Sequence, residues 1–149
     1  MGHTHTRNLI HIVTSTKDRR ALLTPPVRSA LFPYMIGIAQ NLESPLLSIN
    51  GVDDHVHVLA DLHPSIALAE FIGKLKANAS RWWNAEHPRA RIAWQRGYGS
   101  FSVSQSKAED VIAYIHAQEA HHRKTGFQDE LRALLRLHKI EYDEKYLWD

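Results

Sequence analysis

The sequence predicts an α+β fold, a four-stranded antiparallel sheet laid down in the order β-α-β-β-α-β and followed by C-terminal helices. Three observations carry this. Short runs rich in β-branched residues alternate with longer stretches in which apolar residues recur every three or four positions. Turn-forming clusters separate them, at Pro25-Pro26, Ser44-Pro45, Gly51-Val-Asp-Asp54 and His63-Pro64. The length, 149 residues with 44% hydrophobic and 23% charged, suits a single domain spanning residues 1–149.

Asn8-Leu-Ile-His-Ile-Val-Thr14 reads as the first strand, with Thr16-Lys-Asp-Arg-Arg20 a polar, basic loop after it. Pro25-Pro26 marks the approach to a helix that Val27, Leu31, Tyr34, Met35 and Ile38 carry to about Asn41. Pro33 interrupts that stripe. A mid-helix proline removes a hydrogen bond and crowds the preceding turn, so a kink or an irregular first turn is expected. Leu46 to Asn50 forms the second strand and His55 to Asp61 the third. After His63-Pro64, Ser65 is the expected N-cap of a long helix that buries Leu68, Ile72, Leu75, Ala79 and Trp82 and turns Lys74, Asn78 and Arg81 to another face. Gly97 to Val103 is the fourth strand. Ser104-Gln-Ser106 then caps a third helix running from about Lys107 to Lys124, stopped by Thr125-Gly126. Phe127 to His138 makes a fourth helix, and Ile140 to Asp149 is expected to dock on the body. This order matches a ferredoxin-like sheet with helices packed on it.

Composition narrows the function classes. The absence of cysteine excludes disulfides and thiolate metal sites and fits a reducing cytoplasm. No apolar stretch reaches the roughly 20 residues of a membrane span. A net charge of +2 allows a local basic patch but not a strongly basic protein. The eleven histidines are the compositional oddity. His3 and His5, in the N-terminal stretch, are assigned no role.

The stretch Gly51-Val-Asp-Asp-His-Val-His-Val-Leu-Ala-Asp61 concentrates the chemistry. Strand alternation puts His55, His57 and Leu59 on one face and Val56, Val58 and Ala60 on the other. Two imidazoles on one strand face can grip a metal ion, and equally can be hydrogen-bonded histidines of a core. On the third helix, Val111, Tyr114, Ile115 and Gln118 share an inward stripe that His121 and His122 continue. Buried polar groups need partners, so a tyrosine hydroxyl and an amide one turn apart, aimed at the histidine strand, make a plausible nucleophile and third ligand. Tyr114 also fits a core aromatic with a wet tip, and His121-His122 fits the macrodipole at a helix C-terminus. Lys17, Arg19, Arg20, Lys74, Lys76 and Arg81 fit solvated faces as well as phosphate contacts.

Taken together, Asp54-His-Val-His57, Lys74-x-Lys76-x4-Arg81, Trp94-Gln-Arg-Gly-Tyr-Gly-x-Phe-Ser-Val103 and Tyr114-Ile-x-x-Gln118-x-x-His-His122 resemble the small single-tyrosine transposases of bacterial insertion sequences, the HUH (histidine-hydrophobic-histidine) type. The resemblance extends to His11-Ile-Val-x-x-Thr-Lys-x-Arg19 and to Glu141-Tyr-Asp-Glu-Lys-Tyr-Leu-Trp148. It implies His55, His57 and Gln118 as ligands of a divalent ion, Mg²⁺ or Mn²⁺, and Tyr114 as the nucleophile. It implies cleavage and rejoining of single-stranded DNA at hairpin-bearing element ends through a 5′-phosphotyrosine. Lys17, Arg19, Arg20, Lys74, Lys76 and Arg81 become candidate DNA contacts. A homodimer with active sites shared between subunits is implied, pivoting at Ser104-Gln-Ser106; the cytoplasmic location expected for the chain rests on its lack of cysteine.

Three rivals remain at this point. A domesticated relative acting on repeated genomic hairpins would use the same residues. A catalytically silent ferredoxin-like nucleic-acid binder would not need His55, His57, Tyr114 and Gln118 together. A metal-dependent hydrolase using His55 and His57 would want a carboxylate-rich shell around them, which the sequence does not offer.

Overall fold

Strand β3 (His55–Asp61) is buried at six of its seven positions, which requires cover on both faces. The computed structural model, which describes residues 2–148, supplies it. β1 (Leu9–Ser15), β2 (Leu46–Val52), β3 and β4 (Gly99–Val103) form one sheet in the order β2-β3-β1-β4. All neighbours are antiparallel, the ferredoxin-like arrangement that the element order predicts. The helices are α1 (Pro25–Asn41), α2 (Leu68–Glu86), α3 (Ala108–His116), α4 (Gln118–His122), α5 (Phe127–Leu137) and α6 (Glu144–Leu147).

Alternation along the strands assigns each face its cover. Ile12, Val56, Val58 and Ala60 join Leu31 and Met35 of α1 and Phe71, Ile72 and Leu75 of α2 in the main core. On the opposite face Leu9 and Leu59 pack with Ala108 and Ile115 of α3, and Val13 and Phe101 with Phe127 and Leu135 of α5. His55 and His57 share this second face, so they lie beneath α3, α4 and α5. Gly51, opposite Val56, keeps the hairpin closed: a Cβ there would run into the carbonyl oxygen of His55.

Four details depart from the expected elements. α1 continues as one helix through Pro33; Pro33 and Ser29, whose carbonyl loses its partner, are both exposed, so water can satisfy the freed group. α2 begins at Leu68 with Ala67 at the cap position, because the Ser65 hydroxyl pairs with His63 Nδ1 at 2.7 Å in the turn before it. Trp83 rather than Trp82 fills the core position of that helix, and Trp82 stacks on Tyr34 instead, with ring centres 4.2 Å apart. The third helix is not continuous. It breaks at Ala117 into α3 and α4, where Asn50 of β2 donates to the carbonyls of Ile115 (3.0 Å) and His116 (3.1 Å).

The tail docks as expected. Arg132 of α5 holds Glu144 (Nε–Oε1 2.5 Å), Phe127 packs against Trp148, and the Trp148 carbonyl accepts from Gln95 at 2.9 Å. Among the described residues no helix is long and apolar enough to cross a membrane.

Candidate active site

β3 delivers both histidines fully buried. His55 Nδ1 lies 2.7 Å from the carboxylate of Asp54, the residue before it, which fixes Nδ1 as the protonated nitrogen and turns Nε2 inward. His57 is held the same way by another group: its Nδ1 lies 2.8 Å from Nε2 of His11, on the neighbouring strand β1. His122 comes from α4, where the break at Ala117 sets it against β3, with Nε2 2.9 Å from His55 Nε2.

The three imidazoles meet at Glu130 of α5. Its Oε1 is 2.8 Å from His57 Nε2, 3.0 Å from His122 Nε2 and 3.2 Å from His55 Nε2. The other oxygen, Oε2, accepts from the Tyr114 hydroxyl and lies 3.3 Å from Gln118 Nε2 and 3.2 Å from His121 Nε2. One buried carboxylate, 3% exposed, thus has one oxygen on the histidine cluster and the other on the tyrosine.

Charge follows from this geometry. Burial alone would raise Glu130, but hydrogen bonds from His122, His55 and His57 overcome it and hold the carboxyl far below the usual range. Burial would likewise depress His55, yet its bonds to Asp54 and Glu130 prevail and raise it. For His57 burial wins over Glu130, and the ring stays neutral more readily. His11, buried and beside His57, falls to about 3. Tyr114 is pushed up, first by burial and then by the hydrogen bond and charge of Glu130. The proton therefore sits on the tyrosine.

The donor set fits a divalent ion. Ligand atoms of His55, His57, His122 and Glu130 all lie within 4.8 Å of one another. Asp54 and His11 orient the first two rings, as outer partners of metal-bound histidines do. Gln118 is fully buried; its Nε2 lies 3.3 Å from Glu130 Oε2 and its Oε1 has no partner, a buried acceptor that a bound group could use.

The structure brings His55, His57, Tyr114 and Gln118 together, all from one chain. It adds His11, Asp54, His122 and Glu130, to which the sequence reading gave no part in the site. Glu130 carried one signal: it falls between Phe127 and Leu134 on the inward stripe of α5, where a carboxylate needs a reason to be. The structure places two carboxylates, Asp54 and Glu130, against the histidines. Of the candidate DNA contacts, Lys17, Arg19 and Arg20 lie on an exposed loop after β1, with the Arg19 guanidinium 5.8 Å from the Trp148 ring centre. Lys74 pairs with Glu70 (2.9 Å) and Arg81 with Asn78 (2.9 Å) on the exposed side of α2. Lys76 differs from these: it is 9% exposed, and its ammonium donates to the carbonyls of Gln95 (2.6 Å) and Gly97 (3.2 Å), pinning the loop before β4.

Comparison with known proteins bears on the family and the fold. Residues 4–118 match the family model "Transposase IS200 like". The chain is 24% identical over 114 residues to the ISDra2 transposase TnpA of Deinococcus radiodurans, covering 72% of this chain and 81% of that protein. It is 25% identical over 122 residues to the transposase for insertion sequence element IS200 of Salmonella typhimurium, covering 76% and 80%. Among solved structures, a candidate transposase from Deinococcus radiodurans superposes with a TM-score of 0.63 at 22% identity, over 79% of this chain and 96% of that one. A REP-associated tyrosine transposase bound to a REP hairpin superposes with a TM-score of 0.60 at 12% identity, over 82% and 74%. These two likenesses bear on the fold, and the family match, which spans β1 to Gln118, on identity: the chain belongs to the IS200-like transposase family.

Proposed function

We propose that this chain cuts and rejoins single-stranded DNA at hairpin-bearing ends through a covalent bond to Tyr114. The observation that supports it most is the shared carboxylate: the tyrosine hydroxyl and three imidazoles converge on Glu130. The tyrosine oxygen attacks a phosphodiester, forming a 5′-phosphotyrosine as the bond to the 3′-oxygen breaks. That oxygen leaves with the bonding pair and is protonated to a 3′-hydroxyl, which in a second step attacks another such linkage and frees the tyrosine.

His55, His57, His122 and Glu130 would hold the ion, and Gln118, whose Oε1 has no other partner, would join them by turning its amide. When bound, a divalent ion supplies positive charge that polarises the phosphate and stabilises the departing 3′-oxygen. Three imidazoles and one carboxylate favour Mn²⁺ over Mg²⁺, which prefers an all-oxygen shell. The chain's own residues do the rest. Asp54 and His11 orient the rings, Gln118 and Glu130 place the hydroxyl, and Glu130 Oε2 is where the tyrosine proton is already directed. At rest the tyrosine is held protonated, so the nucleophile is quiet until charge on Glu130 is offset. Lys17, Arg19, Arg20, Lys74 and Arg81 remain candidate phosphate contacts, and the chain is expected to pair as a homodimer.

A labelled hairpin oligonucleotide with a single-stranded flank, incubated with the protein and Mn²⁺, should give a covalent band on a denaturing gel. Tyr114→Phe should remove it. A band that persists in that variant would assign the nucleophile elsewhere.

A further inference from the structure

The helix that carries Tyr114 breaks at Ala117 for no reason that its own residues supply. Residues 113–120, Ala-Tyr-Ile-His-Ala-Gln-Glu-Ala, hold no glycine or proline, and alanine, glutamine and glutamate are strong helix formers. Yet ψ at Ala117 is 13°, far from the helical value of about −42°. A kink without glycine or proline arises where another group enters the hydrogen-bond ladder. Here that group is the Asn50 amide, whose Nδ2 donates to the carbonyls of Ile115 (3.0 Å) and His116 (3.1 Å). Asn50 stands directly across from His57 in the β2–β3 pair, so its side chain shares the second face of the sheet. Asparagine is a poor strand residue, and packing alone would be served better by a β-branched one.

We propose that Asn50 is a positioning residue of the active site: its amide imposes the break at Ala117 and so aims Tyr114, Gln118 and His122 at the histidines of β3. This rests on reading Tyr114 as the nucleophile. The two carbonyls that Asn50 holds lie between Tyr114 and Gln118 in the chain, so both side chains flank the fixed peptides. Beyond the break, His122 Nε2 stands 2.9 Å from His55 Nε2 and 3.0 Å from Glu130. A helix running straight through Ala117 would carry His122 off that line. A second tie acts from the same hairpin. Arg28, only 9% exposed, bridges Asp53 (2.7 Å) and Glu119 of α4 (3.3 Å). One hairpin thus carries two histidines and also fixes the helices that face them.

The test compares Asn50→Ala with wild type at a temperature where circular dichroism shows both folded. Mn²⁺ affinity, measured by calorimetry without DNA, should fall about tenfold as His122 leaves the ligand set. The single-turnover rate of the covalent band, at saturating Mn²⁺ and hairpin DNA, should fall about a hundredfold while hairpin affinity is unchanged. Asn50→Val, a better strand former without donors, carries the same expectations should the alanine variant not fold. The deciding arm adds Ala117→Gly to the Asn50 variant. Glycine disfavours the straight helix, so it should recover about fivefold of each loss. A residue that only adds stability would show no such recovery, because glycine weakens the helix further. The inference is overturned if the Asn50 variant keeps wild-type Mn²⁺ affinity and rate, or if Ala117→Gly recovers neither. Failure of every hairpin to give a covalent band with wild-type protein would strike at the nucleophile assignment instead, and the calorimetric arms would still decide the role of Asn50.

Discussion

Tyr114 donates its hydroxyl hydrogen bond to Oε2 of Glu130, whose other oxygen lies 2.8 Å from His57. Tyr114 and the histidine cluster are thus linked through a residue beyond the segment that matches the family model, which ends at Gln118. α5 is what brings this carboxylate into the site.

Glu130→Gln keeps the shape and removes the charge. Three imidazoles then lose their anionic partner, and Mn²⁺ binding, measured by calorimetry, should weaken by at least tenfold, the range seen when metal-site partners are altered. Part of the upward push on Tyr114 also goes, so its ionisation, read from tyrosinate absorbance against Tyr114→Phe, should move to lower pH. An unmoved ionisation would mean that burial alone sets the tyrosine.

Tyr114 and His57 both meet Glu130, so where each site is completed within one chain cleavage should proceed in cis. Mixing His57→Ala with Tyr114→Phe protein should give no covalent product. Product from the mixture would mean that the tyrosine helix is exchanged between subunits, pivoting at residues 104–106.

Lys76→Met should act on stability and not on DNA. It strands the carbonyls that the ammonium now satisfies, at a cost of about 1–3 kcal/mol in urea unfolding. The salt slope of DNA binding should stay at the wild-type value. A slope reduced by about one unit would return Lys76 to the phosphate contacts.

His11 links pH to stability. Its folded value of about 3 lies below that of a free imidazole, 6.5. Between those values the unfolded chain takes up a proton that the folded chain refuses, so stability falls as pH falls through the window. The slope from this one group approaches 1.4 kcal/mol per pH unit. In chelator-treated protein, His11→Gln should therefore lose less stability than wild type between pH 6 and 4 (order-of-magnitude window). Parallel losses would show that the proton uptake belongs to other groups.

The histidine pair is legible in the sequence because alternation along one short strand needs no knowledge of the rest of the fold. The same holds for Tyr114 and Gln118, one helical turn apart, and for the order of the elements. Glu130 is not legible in that way. A buried carboxylate is tolerated only where cations or donors surround it, and one of its donors, His57 of β3, stands 73 residues earlier in the chain. The break at Ala117 is hidden for a like reason: the amide that caps α3 belongs to Asn50, 65 residues earlier. Lys76 matched the family pattern by position, but its burial depends on a loop that only the folded chain lays across it.

The sheet is also a partition. Its second face carries Tyr114, while Lys74 and Arg81 stand on the outer side of α2, beyond the first face and its core. A strand of DNA touched by both sets would have to pass around an edge of the sheet, so the thickness of the protein would set the shortest strand able to reach both.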